Sequence, residues 1–428
     1  TGGNQMQGFE KYYRKTWHER LEILNKHTIS DEQVKILKDD AKNPELGETM
    51  IENFISEYHL PEGVALNLVV NGIEYLVPMA TEEPSVIAAA SHGGSIVKKS
   101  GGFKAETKSR LMIGQVVLEN VSDVSEMQKE LELLEKDILK VANDAHPSIV
   151  RRGGGARSVK LKILADDLLA LYLAVDVKEA MGANMLNTML EATAEFLKSK
   201  LEADVLFAIL SNYATDSLVS AKCSIGVETL AKNGVDGCEI ARKIAQASRV
   251  AQLDPYRAAT HNKGIMNGID ACVLASGNDW RAVEAGAHAY AARSGSYRGL
   301  STWNYDEKKQ VLEGELTLPL ALGSVGGSIS IVPLVSVNRQ ILQNADAKTL
   351  GEIVCSLGLA QNLAALYALV TDGIQKGHMR LQLKSLAKSV GATADETKIL
   401  VKEMEKRKVR DSVHAKEILK EMREKRDE

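Results

Sequence analysis

The chain has 428 residues, 44% of them apolar by type and 26% charged, with 53 lysines and arginines against 57 acidic residues and a formal net charge of -4. That is enough length to bury a substantial core in two or three domains. The lack of a basic surplus and an aromatic content of only 4% speak against a nucleic-acid partner or a base-stacking surface.

Four cysteines, Cys223, Cys238, Cys272 and Cys355, are too irregularly spaced for a CxxC site and too sparse for a disulfide framework. They imply a reducing compartment. No charged-apolar-small leader opens the chain, so a soluble cytoplasmic protein is expected, without a membrane partner. Thr1 to Gln5 precede the first methionine, Met6, which leaves open whether the chain is part of a longer fused polypeptide. Two uncharged stretches have the length of membrane spans. Leu316 to Asn338 is broken by Pro319, Pro333 and a glycine run and reads as buried strands; Ile353 to Thr371 carries Gln361 and Asn362 and reads as a core helix.

In chain order, residues 9–60 read as a polar, helix-rich lead-in, with one short helix around Leu21, Ile23 and Leu24 and another around Met50 to Ile55. Leu66 to Val70 and Ile73 to Val77 make a hairpin through Asn71-Gly72. In Thr81-Glu82-Glu83-Pro84-Ser85, Pro84 fits the first turn of a helix and leaves Glu83 just outside its N-terminus. From 110 to 212 the order is strand (Leu111 to Leu118), helix (Asp123 to Ala145), strand (Ser158 to Leu164), strand (Leu168 to Val175), helix (Met185 to Leu201), strand (Asp204 to Leu210). This βαββαβ order is the ferredoxin-like split motif, inserted in a larger domain. Helices at 238–252 and 279–293 come next, with strands at 269–275 and 311–318, a glycine-rich strand pair, and a helix at 349–371. The tail from Gly377 forms three charged helical segments with breaks near Gly391 and Arg410.

Several residues carry chemistry, each with a plain structural explanation beside the functional one. Glu83 complements a helix dipole, Asp279 caps the following helix, and His378 is an ordinary linker histidine unless something recruits them. The segment from Asp254 to Gly268 concentrates Arg257, His261, Lys263, Asn262 and Asn267 among small residues, and if helical it puts Lys263 and Asn267 on one face. A lysine there suits an oxyanion. Glu179-Ala180-Met181-Gly182-Ala183-Asn184 lies where backbone N–H groups at a helix start can meet a pyrophosphate. Gly153-Gly154-Gly155, flanked by Arg151, Arg152 and Arg157, is a second candidate; neither matches GxGxxG, so a Rossmann site is unsupported.

Jointly, Glu82 to Ser85, Glu179 to Asn184, Thr260 to Gly264, Gly277 to Asp279, Gly323 to Gly327 and Gly377 to Met379 resemble the motifs of the 3-hydroxy-3-methylglutaryl-coenzyme A reductases, in the soluble bacterial (class II) form, and occur in that family's order. The resemblance implies an α+β fold: a large helical domain around a central helix (1–109 and 213–374), an inserted ferredoxin-like dinucleotide-binding domain (110–212) and a mobile helical flap (375–428). It implies an obligate homodimer, or a higher even oligomer, with shared active sites. The implied reaction is four-electron reduction of the thioester to mevalonate and coenzyme A with two nicotinamide hydrides.

By motif position Lys263 is expected to stabilise the reacting oxygen, Glu83 to donate its proton, Asp279 to tune Glu83, Asn267 to orient the network and His378 to protonate the departing thiolate. Ser85 and Arg257, with Asn212 nearby, are expected to bind the substrate's free carboxylate. Glu179, Met181, Gly182, Ala183, Asn184, Gly326 and Gly327 are expected around the cofactor, and no metal is expected. Glu179 stands where the family often has aspartate, and Ser324 and Ser328 fall where a threonine and a third glycine are common. The arginines Arg151, Arg152 and Arg157 suit a 2′-phosphate, hence NADPH with NADH the alternative. Two other readings stay open: a catabolic NAD-dependent reductase running from mevalonate to the thioester, and a non-catalytic ferredoxin-like binding protein.

Overall fold

The computed structural model describes residues 8–201, 204–232, 234–371 and 374–427, with the side chains of 328, 374–381 and 425–427 outside the description. Residues up to Pro61 form one compact unit and those from Glu62 onward another. The first holds α1 (Trp17–His27), α2 (Asp31–Asp40) and α3 (Pro44–Met50). Thr16 with Glu19 and Ser30 with Gln33 form capping boxes, and Asn43 accepts from the Leu46 N–H ahead of α3. Each cap satisfies N–H groups that the helix itself leaves unpaired. The helix expected around Met50 to Ile55 is not formed. α3 ends at Met50, and Phe54 folds back against Gly47, where a Cβ would stand 2.3 Å from the ring.

The second unit opens with β1 (Glu62–Val70) and β2 (Ile73–Ala80), turned through Asn71 at φ 51° and Gly72 at φ 87° as a two-residue hairpin requires. Next come α4 (Val86–Lys98) and β3 (Lys104–Thr107). α4 begins later than expected: Pro84 stays outside it, and Ser85, at φ 77°, is the N-cap. The inserted part runs β4 (Leu111–Glu119), α5 (Val124–Leu133), α6 (Glu135–Ala145), α7 (Pro147–Arg151), β5 (Gly155–Ala165), β6 (Leu168–Asp176), α8 (Ala183–Leu201), β7 (Asp204–Leu210). Its strands pair antiparallel in the order β5-β6-β4-β7, the ferredoxin-like topology. Leu118, Leu131, Ile138, Leu171, Leu173, Leu186 and Met189 fill the layer between sheet and helices. The one helix expected over 123–145 is two, interrupted at Leu134.

β8 (Leu218–Gly226), α9 (Gly237–Leu253), α10 (Pro255–Ala275), α11 (Trp280–Ala291), β9 (Ser301–Asp306), β10 (Val311–Pro319), α12 (Pro333–Ile341) and α13 (Ala347–Val370) complete the larger part, with a second sheet ordered β3-β8-β10-β9. Two expectations fail here. Residues 269–275 are the last two turns of α10, because Ile269, Cys272 and Val273 continue the buried helical face begun by Ile265 and Met266. Beyond Pro319 there is no second glycine-rich strand: the chain makes a loop, a short 3₁₀ turn at Gly327–Ser330, and then α12, which Pro333 opens from its first position. The tail forms α14 (Ile374–Ser389), α15 (Ala394–Arg407) and α16 (Ser412–Asp427) around a small core of Leu383, Ala387, Leu400, Met404 and Ile418.

α13 is long and apolar enough to cross a membrane but is buried through most of its length in the larger core. α4 and α10 pack directly on it. The approach is close because glycines line it: a Cβ on Gly93 would stand 2.0 Å from the Ala360 carbonyl oxygen, and one on Gly358 2.8 Å from Ile269 Cδ1. Two polar side chains of α13 are spent on its neighbours. Glu352 accepts from the Thr107 N–H at 3.1 Å and from Asn71 Nδ2 at 3.2 Å, while Asn362 Oδ1 accepts from Ser301 Oγ at 2.8 Å and Trp303 Nε1 at 2.7 Å.

Gly93→Ala should therefore cost about 1–3 kcal/mol or more in urea unfolding, since a backbone carbonyl cannot yield as a side chain can. Gly264→Ala, whose Cβ would lie 4.0 Å from Ala365 Cβ, should leave stability unchanged or raise it by up to about 1 kcal/mol.

Candidate active site

Asp254 caps α10 by accepting from the N–H groups of Tyr256 and Arg257, each at 3.2 Å, and Pro255 occupies the first helical position. The helix beyond this cap carries Lys263 and Asn267 one turn apart on one face. Lys263 Nζ is 2.7 Å from Glu83 Oε2. Glu83 reaches it from the turn between β2 and α4, where its N–H donates to Thr81 Oγ1 at 3.3 Å. Both side chains are substantially exposed, so the pair adds at most about 1 kcal/mol to stability. Its value is chemical: a cation and an acid in hydrogen-bond contact, open to a ligand.

Arg257 and Ser85 are unspent. The Arg257 guanidinium makes no hydrogen bond or ion pair with any described residue, its Nε is buried without a partner, and burial lowers its pKa. Ser85 sits at the N-cap of α4 but bonds none of its N–H groups, and its Oγ is also buried and unpartnered. Two such donors fit an anion with oxygen acceptors.

Asp279 caps α11, accepting from the Ala282 N–H at 3.1 Å, and among the described residues no hydrogen bond or ion pair joins it to Glu83 or Lys263. His378 lies on α14 with its side chain outside the described residues. Asn212, just after β7, lines a small cleft with Met181, Val283 and Pro319.

The glycine motifs converge. In the loop from β6 to α8, Gly182 adopts φ 90°, and a Cβ there would stand 2.3 Å from Val177. Glu179 accepts from Ser324 Oγ at 2.6 Å and from the Ala347 N–H at 2.9 Å, and its carbonyl oxygen accepts from the Ser324 N–H at 2.8 Å. Asn278 clasps Gly323 from the other side, accepting from its N–H at 2.8 Å and donating to its carbonyl at 3.1 Å. Three segments distant in sequence, 179–184, 277–279 and 323–327, thus form one hydrogen-bonded wall. Gly326 and Gly327 have positive φ and open space where a Cβ would project. With Ala183 and Asn184 at the start of the 19-residue α8, the wall offers N–H groups to a phosphate.

Arg110 and Asn278 escaped sequence reasoning. Arg110 Nη2 donates to the carbonyls of Lys178 at 2.7 Å and Leu322 at 3.0 Å, fastening two sides of that wall, yet a single arginine before a strand has no motif to announce it. The triple glycine lies against the end of β6, a Cβ on Gly154 falling 2.5 Å from the Asp176 carbonyl oxygen. Arg157 pairs with Asp176 at 3.2 Å, which Lys178 also contacts at 2.9 Å, and its side chain is partly exposed. Arg151 and Arg152 remain exposed beside it.

Comparison with known proteins gives this geometry its context. A family model for hydroxymethylglutaryl-coenzyme A reductase matches residues 16–383. The curated 3-hydroxy-3-methylglutaryl-coenzyme A reductase of Archaeoglobus fulgidus is 40% identical over 96% of this chain and 94% of its own length. The chain belongs to the hydroxymethylglutaryl-coenzyme A reductase family. A probable reductase from Borreliella burgdorferi is 34% identical over 79% of this chain and 77% of its own. The class II reductase of Streptococcus pneumoniae, solved bound to NADPH in open conformations, is similar with a TM-score of 0.76 and 47% identity, covering 96% of this chain and 100% of that one. The family reduces 3-hydroxy-3-methylglutaryl-coenzyme A to mevalonate, and every residue assigned above lies within the matched span.

One member of the dense α10 segment is not part of this reductase's exposed face. His261 is 1% exposed, with Nε2 2.7 Å from Ser301 Oγ, and burial, then the charge of Arg257, push its pKa down to about 4. It is therefore neutral in the native state at pH 5, where an unfolded histidine is charged. Between about pH 6.5 and 4 the unfolded chain binds the extra proton, so native stability should fall as the pH drops through that window, by at most about 3 kcal/mol. Urea midpoints at pH 7 and pH 5 check this, and His261→Gln should flatten the slope.

Proposed function

We propose that the chain is a cytoplasmic, biosynthetic reductase that works as a homodimer, or a higher even oligomer, reducing the thioester to mevalonate with two NADPH. The observation that carries the residue assignment is the Lys263–Glu83 contact beside two unspent donors, Arg257 and Ser85. Arg257 and Ser85 anchor the free carboxylate of the substrate, with Asn212 beside it. Lys263 takes the thioester oxygen and balances the charge that develops on it, a contact worth about 3–4 kcal/mol in comparable oxyanion sites. Glu83, already within hydrogen-bond distance of Lys263, supplies the proton to the reduced oxygen. Asn267 orients both, and Asp279 acts on the same acid.

NADPH, when bound, supplies the hydrides. The wall of Glu179 to Asn184 with Gly326 and Gly327 would hold its pyrophosphate, and Arg151 and Arg152 its 2′-phosphate, Arg157 being committed to Asp176. The chain is organised accordingly: 1–109 and 213–374 carry substrate, 110–212 the dinucleotide, and 375–428 closes as a flap. From Glu62 onward, separate hydrophobic clusters in the larger part, the insert and the tail support that division. His378, on the flap, protonates the coenzyme A thiolate, a downhill transfer because imidazolium has a pKa of about 6.5 and a thiol about 8.5. Initial rates with NADPH and NADH in both directions separate this reading from a catabolic one. Faster NAD-linked oxidation of mevalonate would reverse the assignment.

Lys263→Ala should lower turnover by a factor on the order of 10² to 10³ or more with either the thioester or free mevaldehyde as substrate. His378→Gln should lower thioester reduction by about 10²- to 10⁴-fold yet spare mevaldehyde, which releases no thiol. Equal damage to both half-reactions would remove the histidine from the thiolate. Arg257→Ala should raise the KM for the thioester by at least about tenfold with a smaller change in kcat, because it binds a part of the substrate that does not react.

A further inference from the structure

The seam between α10 and α11 holds a row of hydrogen-bonding side chains that the reaction above does not use. Asp270 lies seven residues beyond Lys263 and three beyond Asn267, on the same face of α10. Its carboxyl is within hydrogen-bonding reach of Glu284 on α11, yet its Oδ1 is buried with no donor on any described residue. Two ionised carboxyls offer only acceptors, so a proton held between them is the partner that completes the contact. Glu284 Oε2 is 2.6 Å from His288 Nε2, and His288 Nδ1 is 2.8 Å from the Tyr297 hydroxyl. Tyr297 opens the segment that Asn262 holds, donating to the Arg298 carbonyl and accepting from the Leu300 N–H, each at 2.8 Å. The chain of contacts leaves α10 at Asp270 and re-enters it at Asn262, the residue before Lys263. It brackets the two helical turns that carry Lys263 and Asn267 and ties them to α11, whose cap is Asp279.

We propose that Asp270 is a positioning residue of the reductase: as a neutral carboxylic acid it donates to Glu284, which holds His288 as a cation, and the closed chain keeps Lys263 and Asn267 in register with the Asp279 end of α11. This rests on the reading of Lys263 and Asn267 as site residues. The charges support it. Burial first, then the hydrogen bond and charge of Glu284, push the Asp270 carboxyl up to about 9. The bond to His288 holds Glu284 below the usual range, and the same bond raises His288. Glu284 is the charged group that acts on Asp270.

The native state thus keeps a proton that an unfolded aspartic acid releases near pH 4. The group's contribution to stability is full below that pH and is lost as the pH rises toward about 9, where the proton leaves and the chain of contacts opens. The test compares wild type, Asp270→Asn and Asp270→Ala as full-length protein, by kcat and KM between pH 6 and 10 and by thermal unfolding at pH 8. Asparagine reproduces the neutral donor. Asp270→Asn should keep kcat at pH 7 within about twofold, remove the fall in kcat centred near pH 9, and unfold at a higher temperature than wild type. Asp270→Ala should lose on the order of 10- to 100-fold in kcat with little change in KM, the cost of a displaced reacting group.

The proposal is overturned if Asp270→Asn is as impaired as Asp270→Ala at pH 7, if Asp270→Ala is fully active, or if the alkaline fall persists unchanged in Asp270→Asn. Should Asp270→Ala fail to fold, the pH profile of Asp270→Asn decides alone. Full activity in Lys263→Ala would instead overturn the site reading beneath it, an outcome the Asp270 variants do not mimic.

Discussion

Close packing against α13 holds the elements that carry Glu83 and Lys263 in place. Gly93 lets α4 come against the Ala360 carbonyl with no side chain between, and Gly268 and Gly358 make room for the side chains of Gln361 and Ile269 between α10 and α13. Two helices are thereby held at fixed places on one buried rod. The turn that precedes α4 delivers Glu83, and the outer face of α10 delivers Lys263, from positions 180 residues apart in sequence. A hydrogen bond of 2.7 Å tolerates little displacement, so an acid and a cation stay in contact only if neither helix can ride outward. The glycines serve geometry here, and their cost in helix propensity of about 1 kcal/mol each is offset by the core they permit.

The cofactor-side wall depends on a different device, polar side chains used as staples. Glu179, Asn278 and Arg110 each bridge segments that have no backbone ladder between them beyond the single Ala180–Val325 bridge. Two of the departures from the family motif meet at one of these staples. Glu179 stands where the resemblance leads to an expectation of aspartate, Ser324 where it leads to one of threonine, and they touch at 2.6 Å. A glutamate is one methylene longer than an aspartate, and a serine is one methyl smaller than a threonine. The smaller serine leaves room beside its hydroxyl for the longer carboxylate, and the hydrogen bond is kept.

What the sequence made legible depended on how local the signal was. Asn71-Gly72 between alternating apolar residues announced its hairpin because the turn demands positive φ at two adjacent residues, and the ferredoxin-like order was readable because its strands and helices alternate with clear changes of period. β3, β8 and β9 were missed. β9 is an edge strand reading Ser-Thr-Trp-Asn-Tyr-Asp, and β8 mixes small and polar residues, so neither carries the apolar alternation that marks a strand. Mistaking the end of α10 for a strand had a further consequence. Asp270 lies inside that apolar run, and only on a helix does it fall on the Lys263 face. The catalytic candidates were readable only as a set of motifs in order; singly, Asp279 is what a helix cap should be.

Polar groups at the substrate side are distributed in the opposite way to those in the wall. The wall spends its polar side chains on itself, whereas Arg257 and Ser85 keep buried polar atoms unspent, each at a cost of about 1–3 kcal/mol if nothing answers it. A carboxylate with two oxygens removes that cost, so the fold's own deficit becomes binding free energy directed at an anion. The Lys263–Glu83 pair completes the logic by being weak. Exposed to water, it contributes little to stability, and a substrate oxygen can displace the carboxylate from the ammonium without a large penalty. Once water is excluded the same cation acts in a lower dielectric, where its effect on a developing oxyanion is larger than its effect on Glu83 in the open site. A deeply buried, fully satisfied ion pair would have been stronger and, for that reason, unsuited to the proposed roles, in which an oxygen enters between its members.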